Sequence, residues 1–151
     1  MAQQKEAIST INSLIETLKD GEKGFKEASE AVKDPQLKSL FAQYSEQRHR
    51  FASELQTEAR SLGESKPEKS SSAAGAMHRA WIDLKSAVTS GDQGAILSEC
   101  ERGEDSAVKE YKDAIQDGVT GTAREIVSRQ FVEIKSAHDR VRQLRDAAKR
   151  T

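Results

Sequence analysis

A carboxylate in the middle of an apolar helical stripe constrains the fold of this chain more than any other feature. Apolar and small side chains recur at helical spacing between residues 96 and 115, and Glu104 falls on their stripe when each residue turns the helix by about 100°. Burying a carboxylate costs several kcal/mol unless a cation or a metal ion meets it. The fold must therefore bring a positive partner to Glu104. The other members of the stripe are Ile96, Leu97, Cys100, Ala107, Val108, Tyr111, Ala114 and Ile115.

The same periodicity predicts four long helices, and no segment shows the alternation of a strand. Asp34 and Pro35 separate the first two helices, because the residue before a proline avoids helical angles and Asp34 can cap the helix that follows. Residues 63–75 carry too little apolar surface to be buried and are predicted to form a linker. The chain, residues 1–151, is then one domain with long helices at about 3–33, 36–62, 92–117 and 122–149, and a shorter helix at about 76–89.

Two helical hairpins joined by a long connection predict an all-α four-helix bundle in which the link between the second and third long helices crosses the length of the bundle. Each long helix contributes one inward polar residue, at depths of roughly 14 to 21 Å from the same end. These residues are Glu22, Arg48, Glu104 and His138. We expect Arg48 to bridge Glu22 and Glu104, since a guanidinium makes paired hydrogen bonds to carboxylates.

The overall charge argues against nucleic acid and membrane surfaces as partners. Lys and Arg number 24 against 25 Asp and Glu, so the chain has no field that attracts polyanions. No apolar run approaches the roughly 20 residues of a spanning helix, and the first residues lack the apolar core of a signal peptide. The single cysteine, Cys100, excludes an internal disulfide and is expected to be packed and unreactive. We therefore expect a cytoplasmic protein.

Four segments resemble the ferritin-like superfamily and, more narrowly, an uncharacterised bacterial four-helix-bundle family known as a domain of unknown function. They are LIETLKDGEKGF at 14–25, HRAWIDLK at 78–85, ECERGED at 99–105 and HDRVRQLRD at 138–146. The resemblance implies a ferritin-like bundle and an evolutionary link to di-iron carboxylate proteins. The family has no established activity that the resemblance could carry over.

A ferritin-like di-iron centre takes a Glu from each of two helices and a Glu-x-x-His motif from each of the other two. Glu46 and His49 have the spacing of this motif, but they point roughly 120 to 180° away from the apolar stripe and should face solvent. On the fourth helix Glu133 and His138 are five residues apart rather than three. We therefore favour an ion-pair network in the place of the metal centre.

The leading hypothesis for function is a non-catalytic bundle that works through its surface, as a self-associating or stress-related protein. The alternative is a ferritin-like metal-binding protein or oxidase that holds iron or manganese with Glu22, Glu104 and His138. Its edge ligands would be Glu101, Gln130 or Glu133. A third hypothesis is a small apolar ligand beside Trp81. Glycines at 21, 24 and 103, costly inside helices, predict a close approach of other groups near the polar layer.

Overall fold

The computed structural model describes residues 2–67 and 81–149, and every regular element within them is helical. Because apolar residues recur at helical spacing over long segments of the chain, these elements are mostly long. They are α1 (Ala2–Ala31), α2 (Pro35–Ser61), α3 (Leu84–Ser90), α4 (Gln93–Asp113), a π-helical turn (Ala114–Gly118) and α5 (Gly121–Lys149). None of the helices in these residues combines the length and the apolar character needed to cross a lipid bilayer.

The predicted helix boundaries at Asp34, Gly63 and Asp92 are confirmed. Asp34 adopts extended backbone angles, and its side chain accepts a hydrogen bond of 2.9 Å from the backbone N–H of Gln36. Asp92 caps α4 in the same way through the N–H of Gly94, at 3.0 Å. Gly63 follows the end of α2 with a φ of 107°, a left-handed angle that favours glycine. These short polar residues and the glycine therefore set the ends of α2 and the start of α4.

The predicted short helix at 76–89 is only partly present. Residues 76–80 lie outside the described residues, as do residues 68–75 of the predicted linker. Residues 81–83 form turns, so that α3 begins only at Leu84, whose N–H donates to the carbonyl of Trp81 at 3.1 Å. The prediction is wrong at residues 81–83 because it treated Trp81 as one more apolar position on a helical face, whereas its ring packs between two helices of the bundle.

The third long helix ends at Gly118, close to the predicted end at 117, but its last turn widens at Ala114. The N–H of Val119 reaches the carbonyl of Ala114 at 3.1 Å, five residues back. This turn brings Gly118 against α1, where a Cβ on Gly118 would lie 2.6 Å from a methyl of Thr10. The glycine therefore allows the end of the α4 segment to approach α1. The helix α5 begins at Gly121, one residue before the predicted start at 122.

The core consists of two apolar clusters, which follow each other along every long helix. The first contains Ile11, Leu14, Ile15 and Leu18 of α1, Ala52 and Leu55 of α2, Ala107 and Tyr111 of α4, and Val127 and Ile134 of α5. The second contains Phe25 and Val32 of α1, Leu37 and Phe41 of α2, Ile96, Leu97 and Cys100 of α4, and Val141 of α5. The interval between the clusters holds Arg48 on α2 and Glu104 on α4. The fold thus places a charged layer between two apolar ones.

Candidate functional site

A buried ion pair joins α2 to α4 between the two apolar clusters. Arg48 Nη1 donates to Glu104 Oε1 at 2.5 Å, and Arg48 Nη2 donates to Glu104 Oε2 at 2.7 Å. The side chains of Arg48 and Glu104 are 1% and 0% exposed. Both oxygens of the carboxylate are therefore bound by one planar guanidinium, which is the strongest geometry for this pair of groups.

Two further side chains contact the guanidinium of Arg48. Its Nε donates to the side-chain oxygen of Gln47 at 3.2 Å, and its guanidinium carbon lies 5.3 Å from the ring centroid of Phe25. Burial lowers the pKa of Arg48, but the charge and hydrogen bonds of Glu104 outweigh burial and raise that pKa overall. The arginine is therefore held as a cation, with its charge neutralised by Glu104.

The negative charge of Glu104 also affects the groups around it. Burial raises the pKa of the Cys100 thiol well above its usual value, and Glu104 and Glu99 raise it further. Burial together with Glu104 raises the pKa of Tyr44 as well. A thiol kept protonated and fully buried is a poor nucleophile, as the sequence predicted for Cys100.

The prediction that Arg48 bridges Glu22 as well as Glu104 is wrong. The Glu22 side chain is 29% exposed and lies 3.0 Å from Lys19 Nζ and 3.3 Å from His49 Nδ1. The residue that α1 presents to Arg48 is Gly21, where an added Cβ would lie 3.4 Å from Nη1. One residue turns a helix by about 100°, so the shift from position 22 to position 21 moves the acid to the rim.

His138 lies apart from the buried ion pair, in a group of its own. Its Nε2 is 2.6 Å from Asp105 Oδ1, and its Nδ1 is 3.0 Å from Asp139 Oδ1. Burial lowers the pKa of His138, but hydrogen bonds to Asp139 and Asp105 outweigh it and raise that pKa. The expected layer of four residues is therefore three separate groups, around Arg48, Glu22 and His138.

Sequence reasoning missed Asp105 and Asp139 as partners of His138. One signal was available for α4, since Glu101 and Asp105 are four residues apart and therefore lie on the same face of the helix. Asp139 gave no such signal, because it is the direct neighbour of His138 in the sequence. Glu46 and His49 are exposed, as their angular positions predicted.

A second polar network joins α2, α4 and α5 inside the first apolar cluster. Tyr111 Oη donates to Gln130 Oε1 at 2.7 Å, and Gln130 Nε2 donates to Glu54 Oε1 at 2.8 Å. Arg129 donates to the other oxygen of Glu54. This network gives Gln130 a structural role, in which its amide connects a buried phenol to a half-buried carboxylate.

The stability that Glu54 contributes is expected to depend on pH. Burial raises its pKa, but hydrogen bonds from Arg129 and Gln130 outweigh burial and lower the pKa below the ordinary value of 4.5. A carboxyl with a lowered pKa in the folded state stabilises above its unfolded pKa and loses that contribution as the pH falls. In urea unfolding at pH 7, wild type should be more stable than Glu54→Gln by up to about 1 kcal/mol, and this difference should shrink as the pH falls below 4.5. A gap that stays constant between these pH values would contradict this assignment.

Trp81 fills a slot between two helices beside the buried ion pair. A Cβ on Gly24 of α1 or on Gly103 of α4 would overlap the indole ring, and the ring also packs edge-on against Phe25 with centroids 5.4 Å apart. The close approach predicted for these glycines is therefore that of Trp81. Its ring packs residues 81–83, the turns before α3, against the bundle. It lies where the third hypothesis placed a small apolar ligand beside Trp81.

These features define the class of the protein, an all-helical protein whose interior carries a paired arginine and glutamate. The family model described as Domain of unknown function (DUF2383) matches residues 6–117, well over half of the chain. The chain belongs to this family, and the matched region contains both Arg48 and Glu104. No curated protein is significantly similar in sequence to this chain.

Proposed function

We propose that this protein is a non-catalytic, ferritin-like four-helix bundle in which the Arg48–Glu104 pair stands where a di-iron protein holds its metals. In this proposal the protein works through its surface, as an interaction protein. The observation that carries the proposal is that one guanidinium takes both oxygens of the buried Glu104. A carboxylate whose charge is neutralised in this way attracts a metal ion less strongly than an unpaired carboxylate does.

The order of the apolar clusters along the helices supports the ferritin-like topology. α1 and α5 pass from the first cluster to the second, whereas α2 and α4 pass from the second to the first. α1 packs mainly against α2, and α4 packs mainly against α5. Two antiparallel pairs in which α2 and α4 run in the same direction require a connection along the length of the bundle. The order of the clusters therefore supports the crossover topology that we propose.

The residues present do not fit a di-iron or di-manganese centre. Such a centre needs carboxylates and imidazoles that converge on one point. Here Glu22 pairs with Lys19 and His49, Glu104 pairs with Arg48, and His138 pairs with Asp105. The alternative function, an oxidase built on Glu22, Glu104 and His138, therefore has less support than the ion-pair bundle.

The surface role is supported by α5. Among the described residues, the two large apolar side chains that are exposed are Ile82 and Val132, and Val132 is the more exposed at 67%. It lies next to the half-buried Phe131 on the outward face of α5. Phe131 itself packs against the first apolar cluster, so Val132 with the accessible part of this ring is a small apolar area that another protein surface, including a second copy of the chain, could contact.

The absence of oxidase activity is tested by ferrous-ion oxidation with the full chain. We expect the rate with protein to equal the rate in buffer, because no ligand set converges at the centre of the bundle. Elemental analysis of protein purified without chelator should find less than about a tenth of an equivalent of iron or manganese. Protein-dependent oxidation, or a full equivalent of either metal that remains in an Asp105→Asn variant, would contradict the proposed function. The Asp105→Asn variant distinguishes metal bound at the centre of the bundle from metal bound by ligands on its flank.

A further inference from the structure

A group of metal-ligating side chains lies on the flank of the bundle between α4 and α5. Glu101 and Asp105 are one helical turn apart on α4, and His138 faces them from α5. One ligand atom of each residue lies within 4.8 Å of the ligand atoms of the other two. We propose that Glu101, Asp105 and His138 form a binding site for a single divalent transition-metal ion, with Zn²⁺ rather than Mn²⁺ or Fe²⁺ as the ion expected there.

The ligands combine a fixed inner side with an open outer side. Glu101 and His138 are only 9% and 8% exposed, so the packing of α4 against α5 limits their movement. Asp105 is exposed, which leaves a path for the ion from solvent. A site with two fixed ligands and one mobile ligand can close on an ion without rearrangement of the helices.

His138 is oriented for this role by Asp139. The carboxylate of Asp139 lies 3.0 Å from Nδ1 and leaves Nε2 directed at Asp105, 2.6 Å away. Metal-binding histidines commonly hold a carboxylate on the other ring nitrogen, which fixes the ring and the tautomer. Lys135 in turn pairs with Asp139 at 3.3 Å and holds this carboxylate in place.

Glu101 retains a free oxygen for an ion although it pairs with Arg145. Arg145 donates to Oε2 of Glu101, and no hydrogen bond within the described residues reaches Oε1. Arg145 also donates to Asp146 Oδ1 at 2.8 Å, so its charge stays compensated when Glu101 binds an ion through Oε1. The carboxylates of Glu101 and Asp105 then face the ion, and the carboxylate of Asp139, on the other ring nitrogen of His138, adds to the negative charge that offsets it.

The donor set determines which ion is expected. One imidazole and two carboxylates suit first-row divalent metals, and Zn²⁺ binds such sites more tightly than Mn²⁺ or Fe²⁺. At bond lengths of about 2.0 to 2.2 Å, the ligand atoms of a tetrahedral Zn²⁺ lie about 3.3 Å apart. Asp105 Oδ1 now lies 2.6 Å from His138 Nε2 and must move away from it to about 3.3 Å, which rotation of the exposed Asp105 side chain allows. The fourth position would hold a water molecule. The inference is independent of the proposed function, because it uses neither Arg48 nor Glu104.

Calorimetric titration of the full chain with ZnCl₂ tests this site. We expect one equivalent of Zn²⁺ to bind to wild type, and Asp105→Asn to weaken that binding at least tenfold. Asp139→Asn should weaken it by about 10- to 100-fold, since Asp139 holds the His138 ring. The matched control is His49→Gln, because His49 is an exposed histidine that also pairs with a carboxylate, that of Glu22. This control should bind as wild type does.

Two results would overturn the site. One is an absence of Zn²⁺ binding to wild type, and the other is binding that keeps its affinity in Asp105→Asn. Because Asp105 is exposed, Asp105→Asn is expected to fold, and circular dichroism of each variant verifies this. Thermal unfolding with and without ZnCl₂ gives a second readout, since an ion that binds only the folded state raises Tm in wild type and not in Asp105→Asn.

Discussion

Replacing Arg48 with leucine is expected to lower the free energy of unfolding by about 3 to 5 kcal/mol. The substitution leaves the fully buried Glu104 carboxylate without the two hydrogen bonds that now bind its oxygens. A buried charge without a partner either destabilises the fold or takes up a proton, and both outcomes cost stability at pH 7. Urea unfolding followed by circular dichroism measures the change.

Two further variants distinguish the effect of breaking the ion pair from the effect of removing an arginine. Arg50→Leu, at an exposed position on the same helix, should change stability by no more than about 0.5 kcal/mol. Arg48→Leu combined with Glu104→Leu should recover most of the loss, because apolar residues can replace a whole buried ion pair at little cost. An Arg48→Leu variant within about 1 kcal/mol of wild type would refute the pairing.

Gly103→Ala is expected to destabilise the protein by about 3 kcal/mol, because the new methyl group overlaps the indole of Trp81. Alanine normally stabilises a helix interior by roughly 1 kcal/mol relative to glycine, so the expected sign is the reverse of the usual one. The chain has one tryptophan, so its fluorescence reports directly on the environment of the Trp81 ring. We expect the emission of the variant to shift to longer wavelength as the ring is displaced toward water.

The same substitution in a Trp81→Ala background provides the control. With the indole removed, Gly103→Ala should stabilise by roughly 1 kcal/mol, since only helix propensity remains. Gly94→Ala tests the general effect on α4, because a Cβ there would meet only the Asp92 carboxylate, at 3.4 Å. A stabilising effect of Gly103→Ala in the presence of Trp81 would contradict the packing of the indole ring against Gly103.

The long helices could be predicted because their apolar positions repeat over many turns. In α1 and α2 the periodicity runs for 30 and 27 residues, so that an error at one position barely changes the pattern. The boundary at Asp34 was equally clear, since a proline and a short acidic side chain both favour the start of a helix there. The pairing of Arg48 with Glu104 followed because each is the charged residue that interrupts an apolar stripe.

The remainder of the site could not be obtained from helical angles alone. The centre of the apolar stripe on α1 passes between Gly21 and Glu22. An error of one residue therefore decides whether α1 presents an acid to Arg48 or directs that acid to the rim of the bundle. His138 was correctly directed inward, but its partners depend on the rotation of α5 against α4. The position of the Trp81 ring could not be predicted, because it depends on how α1, α4 and the connection pack together. The glycines indicated that something approaches closely but did not show which side chain it is.

The ion pair at the centre of the bundle is tested most directly by a crystal structure of the full chain grown with excess MnCl₂, with anomalous data collected at the manganese edge. The prediction is that both oxygens of Glu104 are hydrogen-bonded to the guanidinium of Arg48 and that no anomalous peak lies on this carboxylate. An anomalous peak coordinated by Glu104, with the Arg48 side chain turned away from it, would contradict the ion pair and support the oxidase in its place.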